Sequence, residues 1–426
     1  MALTLLAKQS IRLTQPSMFR NESQMSDKNR QTFQGPTLFS YGFRPFFLSA
    51  SVFALIVIPI WMAIQVGMIT LDSVFKPTVW HIHEMLFGYA AAVIAGFLFT
   101  AIPNWTGRMP VRGWPLATMV SLWLLGRISV AGLLGLSAPL VLIADCAFLA
   151  SIVLMITREI TAGKNWRNLK VLLPVVTLFL ANIAFHFEAM KTGLAEASTR
   201  LGFGAIIFLV MLIGGRVIPA FTRNWLVKQG TGALPIPFAK YDAISLLLGA
   251  LAMGGWVVFP NSPIIGSLLI AVAMMHAFRL SRWQGLRTFP SPLLLMLHIA
   301  YAFLPAGILL LGLNSISEEL DTYITGLHLL GIGGIGGITV AVMMRATLGH
   351  TGRALIAPKA LTFAFGLIIL ASLFRSLLDG IEIAGYDGIE IAATLWTIGF
   401  AIFVVKVGSW LTTPRQQKRK ANPTQR

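Results

Sequence analysis

Residues 79–108 read VWHIHEMLFGYAAAVIAGFLFTAIPNWTGR, and this stretch decides the fold class. Between Glu84 and Arg108 it contains no charged residue. A helix needs about 20 mostly apolar residues to cross the roughly 30 Å hydrocarbon core of a bilayer. The stretch therefore predicts a transmembrane helix with two histidines and a glutamate at one end and an arginine at the other.

The rest of the 426-residue chain repeats this pattern. It is 56% hydrophobic and only 12% charged, whereas soluble domains carry about 25% charged residues. We therefore expect an all-α, polytopic transmembrane helical bundle of about twelve spans. The predicted spans lie near residues 46–68, 79–103, 115–135, 138–159, 169–190, 199–222, 240–259, 263–282, 291–313, 322–346, 359–378 and 388–412.

The distribution of charge predicts the orientation of the bundle. Nearly all of the 33 lysines and arginines fall in the two tails and the even-numbered loops. Because cytoplasmic loops are enriched in Lys and Arg, both termini are expected in the cytoplasm. The odd-numbered, periplasmic loops hold only Lys76, Lys191, Arg200 and Arg375.

These observations divide the chain into a cytoplasmic N-terminal tail at 1–38, a single transmembrane domain at 39–412 and a basic cytoplasmic C-terminal tail at 413–426. Residues 1–36 show no signal-peptide pattern, so the first span is expected to remain in the mature protein. The net charge of +17 is explained by orientation, and we expect membrane lipid rather than nucleic acid as the partner. The single cysteine, Cys146, excludes a disulfide framework and a cysteine-based zinc site.

A weak internal repeat recurs every four spans. The endings AIPNWTGR (101–108), RVIPAFTRN (216–224) and MMRATLGHTGR (343–353) close spans 2, 6 and 10. They predict a possible pseudo-threefold arrangement of four-helix units. The alternative is that these residues are ordinary Pro, Trp and Arg anchors at the membrane interface.

Four of the seven histidines are predicted to share the periplasmic layer. Ionisable side chains at membrane depth are costly, and neutral imidazole is a common ligand of iron, copper and zinc. We therefore interpret them as metal or haem ligands, the alternative being hydrogen bonds between helices. His81 and His83 point about 200° apart on a regular helix, so one ion could be shared only if the helix is irregular or two centres are present. The layer consists of His81, His83, His186 and His328, with Glu84 beside them.

A second group of polar residues is predicted in the cytoplasmic half. His298 is followed one turn later by Tyr301, which could place a hydroxyl beside a bound group. His276 precedes two arginines and is expected to be interfacial, whereas a pairing of Arg127 with Asp145 stays open. The arginines near the cytoplasmic ends of spans 6 and 10 could contact lipid phosphate or the propionates of a haem. They are Arg216, Arg223, Arg345 and Arg353.

The glycine series GIGGIGG at 331–337 allows close helix packing, and it could also let a flat macrocycle lie against the backbone.

Several motifs together resemble the NnrS family. They are FSYGFRPFFL (39–48), WHIHEMLFGYAAAVIAGF (80–97), IPNWTGR (102–108), NWRNL (165–169), GRVIPAFTRN (215–224), LHIAYAFLPAG (297–307) and MMRATLGHTGR (343–353). The resemblance implies a twelve-span bacterial inner-membrane protein that contains haem and copper and serves in defence against nitric oxide. It points to the functional residues His81, His83, Glu84, His186, Arg216, His298, His328, Arg345 and His350.

Three functions are compatible with these features. The first is a nitric oxide reductase-type oxidoreductase that uses electrons from quinol or another small carrier, haem b (one or two) and copper or another second metal. In it Glu84 and Tyr301 would serve catalysis, and His298 and His350 would hold a second haem. The second is a non-enzymatic haem-containing sensor, scavenger or metal-protection protein, and the third is a transporter.

Overall fold

The computed structural model describes residues 33–416. Most of the predicted N-terminal tail, residues 1–32, and the last part of the basic tail, residues 417–426, lie outside the described residues. Within them twelve apolar helices follow one another: α1 (Phe43–Gln65), α2 (Pro77–Thr106), α3 (Trp114–Val130), α4 (Ala138–Ala162), α5 (Leu169–Thr192), α6 (Glu196–Gln229), α7 (Lys240–Val258), α8 (Pro263–Ser281), α9 (Pro292–Ile316), α10 (Tyr323–His350), α11 (Lys359–Leu377) and α12 (Gly388–Thr412).

The prediction of an all-α polytopic bundle is confirmed. Residues 33–416 are 79% helical, and eleven of these helices are long and apolar enough to cross a membrane. The twelfth, α3, has 17 residues. The strands of the described chain form one short hairpin, Glu382–Ile383 with Tyr386–Asp387, between α11 and α12.

Glycine and proline set several helix ends. Proline occupies the first turn of α2, α3, α4, α8 and α9, where a missing N–H costs nothing. Gly107 and Gly193 end α2 and α5 in the left-handed conformation. Span 3 was predicted to reach residue 135, but α3 ends at Val130, since Gly132 turns the chain with φ 78° against Asp72.

The two ends of the described bundle lie on one membrane face. The Arg44 guanidinium at the start of α1 donates to the carbonyl of Leu411 near the end of α12, 2.7 Å away. We call this side the terminal face and the opposite side the distal face. Because successive helices run in opposite directions, α2, α6 and α10 all begin at the distal face.

Helices α2, α6 and α10 form the centre of the bundle. In their most apolar segments 78%, 67% and 67% of the residues are buried, whereas the other candidate spans have 33–56%. Each of the three contains a π-helical segment: Glu84–Ala90, Val210–Gly214 and Leu329–Gly336. Their spacing of four helices equals the period of the predicted internal repeat.

Neighbouring helices bond to the backbone of two of these π segments. The Trp123 indole of α3 donates to the carbonyl of Gly88 at 3.0 Å, and the Arg279 guanidinium of α8 donates to the carbonyl of Met211 at 2.9 Å. Carbonyls outside the regular α-helical pattern need partners in an apolar medium. These long-range bonds therefore hold the irregular backbone in place.

Helix packing explains part of the glycine series of α10. A Cβ on Gly333 would overlap the Phe303 ring of α9, and one on Gly336 would stand 2.9 Å from Trp396 of α12. Gly331 differs, because the nearest neighbouring atom to an added Cβ would be 3.8 Å away in Phe203. Gly333 and Gly336 are therefore required by packing, whereas Gly331 has room beside it.

We expect Gly333→Ala to lower the stability of the bundle by about 1–3 kcal/mol, because the added methyl overlaps Phe303. Gly331→Ala is the matched control, and it should leave stability unchanged or raise it slightly. The thermal unfolding midpoint of detergent-purified protein measures both. Equal midpoints for the two variants would contradict the packing explanation.

Candidate metal centre

Two histidines from different helices converge on one carboxylate near the distal face. His83 Nε2 on α2 and His186 Nε2 on α5 each lie 3.1 Å from Oδ2 of Asp145 on α4. One ligand atom from each residue lies within 4.8 Å of the others. All three side chains are buried, with 0–2% of each residue exposed. The set therefore offers two nitrogens and one oxygen that could hold a metal ion.

Arg127 on α3 connects the two carboxylates of this centre. Its guanidinium donates to Oε1 of Glu84 at 2.6 Å and also to Oδ1 of Asp145. The pairing of Arg127 with Asp145, left open by the sequence, is thus present. Two glycines make room for this pairing. A Cβ on Gly88 would stand 2.7 Å from the Arg127 guanidinium, and a Cβ on Gly126 would stand 2.9 Å from the Asp145 carboxylate.

Asn182 and Glu84 fix the orientation of His83. The Asn182 amide donates to Asp145 at 2.8 Å, and its carbonyl oxygen lies 3.0 Å from His83 Nε2. The other ring nitrogen, Nδ1, lies 3.1 Å from Oε1 of Glu84. Both nitrogens of His83 therefore face oxygen acceptors, as those of a protonated imidazole do.

The charges of the centre leave room for one more cation. Glu84 and Asp145 supply two negative charges, whereas Arg127 supplies one positive charge. Buried charges are stable only when they are compensated. A proton on His83 or a monovalent cation such as Cu⁺ gives a neutral centre, whereas a divalent ion leaves one net positive charge.

Aromatic rings seal the centre from water. Phe75, Phe87 and Phe185 lie 4.9, 5.1 and 5.2 Å from the His83 ring, between ring centroids. Phe75 also lies 4.9 Å from the ring of His186. A site walled in this way has a low local dielectric constant, which strengthens the interactions among its charges.

The donor set fits a transition metal. Imidazole and carboxylate suit copper, zinc and iron, and such ligands normally have hydrogen-bonded partners that orient them. Here Asn182, Arg127 and Glu84 supply those partners. Arg127 occupies Oδ1 of Asp145, and both histidines lie beside the other oxygen, Oδ2.

The other two histidines of the distal layer occupy separate surroundings. His81 stacks on Trp61 with 4.4 Å between ring centroids, and its buried Nδ1 has no hydrogen-bond partner in the described chain. His328 donates from Nδ1 to the carbonyl of Ile324 at 2.9 Å, which leaves Nε2 as the available ligand atom. His81 lies close enough to His328 to interact with it electrostatically. The layer is therefore divided: His83 and His186 share one centre, whereas His81 and His328 lie outside it.

The candidate residues near the terminal face have protein contacts of several kinds. His298 Nε2 lies 2.9 Å from the Thr222 hydroxyl, and its Nδ1 is buried without a partner among the described residues. His350 stacks on Tyr41, with 5.8 Å between ring centroids. The four arginines occupy different positions: Arg345 over the Phe221 ring, Arg353 over the Trp410 ring, Arg223 exposed and Arg216 half-buried.

The prediction that His276 is interfacial was wrong. Its side chain is fully buried, and Nδ1 lies 2.8 Å from the Tyr301 hydroxyl. The neighbouring Arg279, also fully buried, pairs with Asp242 at 2.9 Å. Tyr301, predicted to lie beside a bound group, thus bonds to His276 on α8. The sequence around His276 does not predict that α7 and α9 pack against its side chain and bury it.

Asn182 was not predicted as a site residue, and Asp145 was predicted only as a possible partner of Arg127. Asn182 precedes His186 by four residues, so the two side chains share one face of α5. Asp145 is the only charged residue between Ala138 and Ile156. Two features of the sequence could have identified these residues. Asp145 is a single carboxylate inside a span, and Asn182 is a polar residue one turn from a candidate ligand.

The fold and this centre define a class: a polytopic membrane protein with a buried histidine–carboxylate centre between four helices. The comparisons with known proteins give the family. The NnrS protein family model matches residues 37–415, nearly the whole chain, so the chain belongs to the NnrS family. No curated protein matches it.

We expect Arg127→Gln to destabilise the protein by about 3–5 kcal/mol, because it leaves two buried carboxylates without their cation. Arg108→Gln is the matched control, since Arg108 also bonds a glutamate, Glu159, at 2.6 Å. The Arg108 side chain is 40% exposed, against 6% for Arg127, and its loss should cost only about 0–1 kcal/mol. Thermal unfolding midpoints compare them, and a similar small loss in both would contradict the assigned role of Arg127.

Proposed function

We propose that the protein is a haem- and metal-containing membrane oxidoreductase that reduces nitric oxide to nitrous oxide or otherwise detoxifies it. The convergence of His83, Asp145 and His186 in a dry intramembrane site carries this proposal. Membership in the NnrS family supports it, because that family is associated with the nitric oxide response. The charge distribution supports a location in the bacterial inner membrane with the terminal face in the cytoplasm.

The cofactors would occupy different histidines. Copper or another second metal would be held by His83, His186 and Asp145. Haem b would be held by His81, whose buried Nδ1 has no hydrogen-bond partner among the described residues, and by His328, whose Nδ1 is bonded to Ile324 so that Nε2 is the ligand atom. A second haem would be held by His298 and His350. When bound, these metals would bind nitric oxide and pass electrons, which quinol or another small carrier would supply.

The chain itself would handle protons and orientation. The reaction 2 NO + 2 H⁺ + 2 e⁻ → N₂O + H₂O consumes two protons. His83 Nδ1 can hold a proton toward Oε1 of Glu84, 3.1 Å away, and Glu84 would orient that proton. Arg127 and Asn182 would keep Asp145 aimed at both histidines, and Phe75 and Phe185 would exclude bulk water.

One observation favours a second candidate function. Both oxygens of Asp145 already accept hydrogen bonds, from Arg127 on one side and from Asn182 and the histidines on the other. A centre satisfied in this way could be closed to substrate. A haem-bearing sensor, scavenger or metal-protection protein would need no open coordination position at this centre.

Metal analysis tests the donor set. We expect purified protein to contain a transition metal that His83→Ala and His186→Ala each remove, because two of three ligands do not hold it firmly. His276→Ala is the control, since it removes another fully buried histidine from a different cluster. Unchanged metal content in both ligand variants would disprove the assignment.

Turnover distinguishes the two functions. Purified protein given a quinol and nitric oxide should produce nitrous oxide, and His83→Ala or His328→Ala should abolish production while the helical content is retained. Normal turnover in both variants would exclude the proposed centre. A haem that binds nitric oxide without reducing it would instead support a sensor or scavenger, and a six-coordinate haem that does not bind it would support a metal-protection protein.

A further inference from the structure

An apolar cavity lies between the central helices and is partly open at its edge. Its volume is ≈ 90 Å³, and residues of α2, α6, α9 and α10 line it. All three π segments contribute: Ala90 from the first, Val210, Ile213 and Gly214 from the second and Ile335 from the third. Short π segments occur often at functional sites.

The cavity offers water at most one polar partner. The one hydroxyl group among the lining residues belongs to Thr339, and it donates to the carbonyl of Gly336 at 2.8 Å. It accepts from the Tyr89 hydroxyl at 2.6 Å. A buried water needs about 2–4 polar partners, and apolar cavities stay dry even when they are larger.

The size of the cavity restricts its occupant. Sites for drug-sized ligands have volumes of about 300–1,000 Å³, several times the volume of this cavity. An apolar cavity of about 150 Å³ takes up benzene or xenon. A space of ≈ 90 Å³ therefore suits a single small, uncharged and weakly polar molecule such as a diatomic gas.

The position of the cavity connects it to the candidate sites. Ala90 lies seven residues from His83 on α2, which is roughly 10 Å along the helix. Leu297, another lining residue, directly precedes His298. The cavity thus lies at mid-membrane, between the distal metal centre and the histidine near the terminal face.

We propose that this cavity binds one molecule of an apolar diatomic gas on its way to the metal centre, and that in the reaction proposed above this gas is nitric oxide. Nitric oxide is uncharged and enters lipid readily, so a dry route through the bundle centre would deliver it without crossing the charged network around Arg127. The identity of the gas rests on the proposed function, whereas the existence of the binding site does not.

Diffraction from crystals held under xenon pressure tests the binding site. We expect an anomalous xenon peak between Val93, Val210 and Ile335, and its loss in Val93→Phe, which fills the space. Val210→Phe repeats the test from α6 in case the first variant does not fold. The control is Val405→Phe on α12, where the side chain is 80% exposed toward the lipid. No peak in the unaltered protein, or a peak that persists in the filled variants, would overturn the proposal.

The rate of reaction with nitric oxide tests the delivery role. In Val93→Phe the rate should fall about tenfold, a barrier increase of about 1.4 kcal/mol, while the rate with cyanide, a polar ligand from water, stays unchanged. Val405→Phe should alter neither rate. Equal nitric oxide rates in filled and unaltered protein would overturn delivery. If the unaltered protein does not react with nitric oxide, the proposed function fails, and the xenon peak still decides whether the site exists.

Discussion

The buried ion pair system of Arg127 with Glu84 and Asp145 is the constraint on which the distal half of the bundle depends. Removing charges from water costs several kcal/mol per ion, and only close pairing offsets this cost. The pairing joins α2, α3 and α4, and through Asn182 and His186 it also joins α5. Four consecutive helices are therefore held by one polar network, and the same network presents the metal-ligand atoms.

The central helices give this network its position. The first π segment begins at Glu84, directly after His83, and the Trp123 indole bonds to its backbone at Gly88. Helix irregularity and the candidate centre thus coincide on α2. In α6 and α10 the π segments lie deeper and face the apolar cavity. A buried bundle centre that is polar at one end and dry in the middle suits a protein that handles an apolar gas and protons together.

Much of the architecture could be predicted from hydrophobicity alone. Runs of about 20 apolar residues predict spans because the bilayer leaves the backbone few alternatives. The distal layer of histidines also followed from span direction. The pairing of His83 with His186 rather than with His81 could not be predicted, because it depends on which face of α2 meets α5. The burial of His276 likewise depends on packing by α7 and α9, which local sequence does not record.

The most direct measurement is the anomalous diffraction of crystals grown from protein purified out of metal-replete cells, collected at the absorption edges of copper, iron and zinc. We expect a metal peak at about 2.0–2.2 Å from His83 Nε2, from His186 Nε2 and from an oxygen of Asp145. Well-ordered density for these three side chains with no metal between them, hydrogen-bonded to one another as in a purely structural network, would contradict it.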